Sequence, residues 1–244
     1  MKTDREFQVR FEPMPSELQS KLQPLGEEVL KRFPSLPRLR LLCYFDDQNP
    51  EWLQGQFGEF TGIHTPVIGG GTWPEYVSRL FFASSGEFAA DHLIYIPNSR
   101  YLQQQVPFVI VFAHEVQHFV QAGLMPKIAK ANTLLLWNLA RFDPTTHLRP
   151  WELPNNCEAM IVAKRVAESI CGEAAVRDFV LAQIDQGKKQ NNASKTQLWQ
   201  WVSTLTSSTS YDLLMETDRL VQKYRPQLQG LDSSVDFSKA RWWL

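Results

Sequence analysis

Apolar residues recur along the first hundred positions at two different spacings. Phe7, Val9 and Phe11 alternate with polar neighbours, which is the period of a half-buried strand. Leu18, Leu22, Leu25, Val29 and Leu30 then follow at helical steps and predict a helix over 16–33, capped by Ser16 and ended by Pro34. Short apolar runs predict strands over 38–45 (RLRLLCYF), 59–68, 76–83 and 92–97 (HLIYIP). Asp46-Asp47-Gln48-Asn49-Pro50, Gly69-Gly70-Gly71 and Ser84-Ser85-Gly86 punctuate them as turns or loops.

From residue 101 the pattern becomes helical. One helix is predicted over 106–122, with Pro107 in its first turn and Gly123 just past its end, and a second over 128–142. The stretch 143–154 is irregular and rich in proline. Asn155 or Asn156 then caps a helix that reaches Cys171 and stops at Gly172. Further helices are predicted near 173–186, 195–206 and 209–225. Strands first and helices afterwards describe an α+β protein with a small mixed sheet packed on helices. With no internal repeat and no low-complexity linker, 1–244 reads as a single domain: strands and first helix in 1–100, central helices in 101–172, and a helical extension in 173–244.

Composition narrows the partners. The chain has 25 basic and 26 acidic residues and a formal charge of −1, so no long-range field favours a nucleic-acid backbone or an anionic membrane. The longest apolar stretch, 106–113, is far short of a membrane span. Three widely spaced cysteines (Cys43, Cys157, Cys171) form neither a disulfide framework nor a zinc knuckle. The charged N-terminal segment lacks the apolar core of a signal peptide. A cytoplasmic location is therefore expected.

The chemistry concentrates at His114-Glu115-Val116-Gln117-His118, an HExxH segment inside the predicted helix 106–122. At 100° per residue the two histidines lie about 40° apart, so both imidazoles reach one metal. Glu115 falls at the edge of that face, beside a metal-bound water and off the metal itself. Phe108 to Ala113 make the helix apolar nearly all round, hence buried. Two histidines and a glutamate buried there need polar partners, which a Zn²⁺ ion supplies. Chance offers roughly 0.006 such matches in a chain of this composition.

A catalytic zinc site takes a third protein ligand. Gln121 and Leu124 stand where the extended HExxHxxGxxH pattern needs glycine and histidine. Downstream candidates are Asp143, His147, Glu152 and Glu158. Glu158 alone falls on a well-defined predicted helix, on the apolar stripe of Val162 and Val166, with Lys164, Arg165 and Glu168 at more exposed positions. The bland alternative is a glutamate stabilised by the helix N-terminus. His147, in the proline-rich loop, is the rival ligand, and Cys157 points about 100° away from Glu158.

Taken together, HEVQH and the later Asn156-Cys157-Glu158-Ala159 helix resemble the gluzincin side of the zincin metallopeptidases, and most nearly the compact ImmA/IrrE-like proteins. The resemblance covers about residues 90–170. It implies a zincin-like fold in which the sheet packs on an HExxH helix and a glutamate-ligand helix. It further implies His114, His118 and Glu158 as ligands, Glu115 as general base, and 92–97 as a strand that binds extended substrate by edge pairing. Zincins also use a tyrosine or histidine near the metal, a role for which Tyr95, Tyr101, His147 and Tyr211 are eligible, with Tyr95 and His147 the substrate-binding candidates. Two features depart from the family: the interval between His118 and Glu158 is long, and Val162 replaces the aspartate that follows the ligand in thermolysin-like enzymes.

The expected function is therefore a zinc-dependent metallopeptidase acting on peptide or protein substrates. The alternative is a zincin-like module that only binds a partner, to which Trp199, Trp201, Trp242 and Trp243 lend weight. Glu115 favours the enzyme, because binding alone has no need of a carboxylate beside the metal.

Overall fold

A computed structural model describes residues 7–11, 16–46, 63–66, 91–97, 104–132 and 148–227. Its elements are β1 (Gln8–Phe11), α1 (Ser16–Lys31), β2 (Arg40–Asp46), β3 (Ile63–Pro66), β4 (His92–Pro97), α2 (Gln105–Leu124), α3 (Pro126–Ala131), a 3₁₀ turn (Pro150–Glu152), α4 (Pro154–Cys171), α5 (Glu173–Lys189), α6 (Ala193–Thr204) and α7 (Leu213–Lys223). The protein is α+β, with a mixed sheet and a helical second half. The expected strand 76–83, most of the helix 128–142, and Trp242 and Trp243 lie outside the described residues.

The four strands are ordered β1-β2-β4-β3. β1, β2 and β4 are mutually parallel, and β3 runs antiparallel to β4, with Ile63 opposite Tyr95 and Pro66 opposite His92. Alternation along the strands turns Leu41, Cys43, Ile94 and Ile96 to one face, where they join the main core. Leu42, Leu93 and Tyr95 face the other way and are buried too, which explains why 92–97 reads as a continuous apolar run.

On the first face the sheet meets α1 through Leu22, Val29 and Leu30, and α2 through Phe108, Val109, Phe112 and Val116. The same apolar cluster continues into α4 (Ile161, Ala163, Val166, Ala167), α5 (Val176, Val180, Ile184) and α6 (Val202, Leu205). Aromatic edges close the seam: Phe7 lies 6.0 Å from Phe119, Phe11 6.3 Å from Phe112, and the His92 ring meets Phe119 edge-on at 5.2 Å.

Two local expectations change, at Gly123 and Lys164, while a third holds. Gly123 does not end α2, which runs on to Leu124. A Cβ at position 123 would meet Pro37 Cγ at 2.3 Å, so the glycine permits a close approach between elements. Gly172 stops α4 as expected: its φ of 87° is strained for any side chain, and it separates α4 from α5. Lys164, expected on an exposed position, is buried. Its Nζ donates to the Leu205 carbonyl at 2.8 Å and pairs with Glu168, tying α4 to the end of α6.

Candidate metal centre

α2 carries His114, Gln117, His118 and Gln121 at helical steps of three and four, so the four side chains share a face about 100° wide. That face meets the first turns of α4, which carry Asn155, Asn156 and Glu158. α4 begins at Pro154, with Leu153 as its N-cap residue, so both asparagines lie inside the helix and neither caps it. Pro154 suits a first helical position, where its missing N–H has no partner to lose.

The His114 and His118 rings stand nearly perpendicular, at 88°, with centroids 4.6 Å apart. Their Nε2 atoms are 3.1 Å apart. His118 Nδ1 lies 2.8 Å from Gln121 Oε1. The Gln121 amide nitrogen donates to Glu158 Oε2 at 2.8 Å and to the Asn155 carbonyl at 3.0 Å. Gln117 Nε2 donates to the same Glu158 Oε2 at 2.9 Å. The carboxylate is thus held by two amides from α2, and one of them also reaches a histidine. Glu115, on the neighbouring helix edge, is 3% exposed.

Burial lowers the pKa of both histidines. For His114 the fall is large, and the proximity of His118 deepens it, while a hydrogen bond to Asn156 works in the opposite direction. For His118 the burial effect is partly offset by hydrogen bonds to Gln121 and Asn156. Both imidazoles are therefore neutral near pH 7, the state in which a ring nitrogen offers a lone pair to a metal.

The donor set fits a zinc ion in two respects. With Zn–N distances of about 2.0–2.1 Å, a 3.1 Å separation of the Nε2 atoms corresponds to an N–Zn–N angle of about 100°, near tetrahedral. His118 also has the outer hydrogen bond from Nδ1 that orients a metal-binding imidazole. His114 lacks one: its Nδ1 is buried with no partner. Among the described residues no three His, Cys, Asp or Glu side chains converge on one cation position.

Of the other expected residues, Asp143, His147 and Tyr101 lie outside the described residues. Glu152 accepts a bond from the Arg149 backbone N–H within the 3₁₀ turn. Tyr95 is 2% exposed, on the sheet face turned away from α2, where it packs as a core residue. Tyr211 bonds to Cys157, whose thiol burial pushes up to about 11 and whose Sγ is 3.5 Å from the Trp151 carbonyl.

The expected substrate strand is corrected. β4 is paired by β2 along its length and by β3 over His92–Tyr95, so that stretch of its backbone is not an open edge for an extended peptide. Sequence reasoning also missed Gln117, Gln121 and Asn156 as parts of the site. Their spacing from His114 was the available signal for the two glutamines. Comparison with protein-family models, with curated proteins and with solved structures finds no match to this chain.

Proposed function

We propose that the chain is a zinc-dependent hydrolase of the zincin type, a metallopeptidase that cleaves amide bonds in peptide or protein substrates. The observation that carries this reading is the facing pair of Nε2 atoms, 3.1 Å apart, on a buried helix that places Glu115 next to His114. His114 and His118 would hold the ion, with Glu158 as the anionic partner of the site. A bound zinc supplies Lewis acidity and a water whose pKa falls toward ~7. Glu115 takes a proton from the attacking water and delivers it to the leaving amine. Burial of the Glu115 side chain suits that task, because a base in a water-poor setting is shielded from competing solvent.

The mixed sheet beneath the HExxH helix supports a zincin-like arrangement, with β3 as its antiparallel member. Among the described residues no helix is long and apolar enough to cross a membrane. The three free thiols suit a reducing compartment, the cytoplasm in this reading. The alternative of a partner-binding module loses part of its basis, since Trp199 and Trp201 pack against the core.

The test is zinc per chain by elemental mass spectrometry, paired with cleavage of a mixed peptide library by the wild type and by Glu115→Gln. About one zinc in both proteins, with cleavage only in the wild type, is the expected result. A wild type that takes up no zinc after reloading overturns the proposal. Zinc bound without cleavage of any peptide leaves the binding module as the better account.

A further inference from the structure

The amide of Gln121 has only one chemically sensible orientation. One of its ends lies within hydrogen-bond distance of Glu158 Oε2 and the Asn155 carbonyl oxygen, at 2.8 and 3.0 Å. Both are acceptors, so that end is the NH₂ group. The other end, 2.8 Å from His118 Nδ1, is then the carbonyl oxygen. A carbonyl accepts, so Nδ1 of His118 carries the proton and its Nε2 presents a lone pair. His114 Nε2 faces that lone pair at 3.1 Å, while His114 Nδ1 is buried without a partner. The Asn156 side chain also hydrogen-bonds to both rings.

We infer that Glu158 acts on His118 through Gln121, as a three-residue relay that fixes His118 in the metal-ready tautomer. Gln117 strengthens the relay by donating a second amide to the same Glu158 oxygen. His118 is thereby the preorganised half of the pair. In this arrangement Gln121 is a positioning residue and Glu158 an outer carboxylate. The consequence for metal binding rests on the hydrolase reading above, whereas the His118 tautomer does not.

The experiment is a long-range ¹H–¹⁵N correlation of the histidine ring nitrogens in the full-length, chelator-treated protein at pH 8. It is followed by titration with Zn²⁺ alone. The expected spectrum shows His118 protonated at Nδ1 both before and after zinc is added. His118 protonated at Nε2 in the wild type overturns the relay without any variant having to fold. Gln121→Leu is expected to lose the His118 tautomer and to weaken zinc binding by about 10–100-fold. The exchanged pair Gln121→Glu with Glu158→Gln keeps an acceptor for His118 Nδ1 and a donor–acceptor contact between positions 121 and 158. It is expected to restore the tautomer and to bind zinc within about tenfold of the wild type, where loss of a direct ligand exceeds the outer-shell range. Loss beyond that range, in an exchanged variant that keeps the tautomer, makes Glu158 a ligand and overturns its assignment to the outer position. Absence of zinc binding in the wild type sinks the hydrolase reading alone, because the metal-free spectrum still judges the relay.

Discussion

α4 runs between two buried polar clusters that are built on different terms. In its C-terminal half, Lys164 donates to the Leu205 carbonyl and pairs with Glu168, so a buried charge has both an acceptor and a counter-ion. At its N-terminal end, Asn155, Asn156 and Glu158 face His114, Gln117, His118 and Gln121, and two buried atoms there, His114 Nδ1 and Asn155 Oδ1, have no partner. On the other side, only the partly exposed Arg165 has such an atom. A cluster that serves stability is closed by the protein itself. One that leaves buried imidazole nitrogens facing each other, with both pKa values lowered by burial, gives up stability in the metal-free state. That is the pattern expected of a site.

Three experiments sharpen that contrast, beginning with the largest effect. Glu115→Gln should reduce peptide cleavage by about 10²–10⁴-fold while zinc content stays at the wild-type value, since general-base removal has that magnitude. Equal activity in the variant would remove Glu115 from the chemistry. Next, zinc at about a thousand times its Kd should add about 4 kcal/mol to the stability of the wild type, which is roughly 8–16 °C in Tm for a chain of this size. His118→Ala should abolish the shift, measured by thermal unfolding with zinc and with chelator. Third, Lys164→Met should cost about 3 kcal/mol in chemical denaturation, because it strands Glu168 and the Leu205 carbonyl. Zinc affinity should not move. A fall in zinc affinity there would mean that the two ends of α4 are coupled, and the contrast between a closed cluster and an open one would fail.

The same contrast explains what was legible in the sequence. α2 was read almost to its ends, because a helix apolar nearly all round shows its length without reference to neighbours. HEVQH was legible for a related reason: two histidines and a glutamate at those steps carry a chemistry of their own. Glutamines do not. Gln117 and Gln121 acquire meaning only once α4 brings Glu158 to them, and that contact spans 41 and 37 positions respectively. Lys164 read as exposed because its acceptor is a backbone carbonyl in another helix, 41 positions away. β4 was placed correctly as a strand, but periodicity says nothing of strand order, so its interior position could not be foreseen. Gly123 reads as a helix stop because the crowding by Pro37 belongs to tertiary packing.

The smallest effect tests the contrast without any metal. His114 and His118 are neutral in the folded chain because burial lowers their pKa values, whereas the unfolded chain protonates its histidines near 6.5. Below that pH the unfolded state binds more protons, so stability falls as pH falls and is recovered as pH rises through 6.5. Each histidine contributes a slope of at most about 1.4 kcal/mol per pH unit over that window. Metal-free protein should therefore lose stability between pH 7 and 5, measured by urea unfolding. Replacing both histidines (His114→Gln with His118→Gln) should flatten the curve, while Lys164→Met should lower the whole curve and leave its slope unchanged. His92, whose pKa burial also lowers, supplies the residual slope in the double variant. An undiminished slope there would place the acid sensitivity elsewhere. It would also leave the histidine pair without the energetic cost that distinguishes the open end of α4 from the closed one.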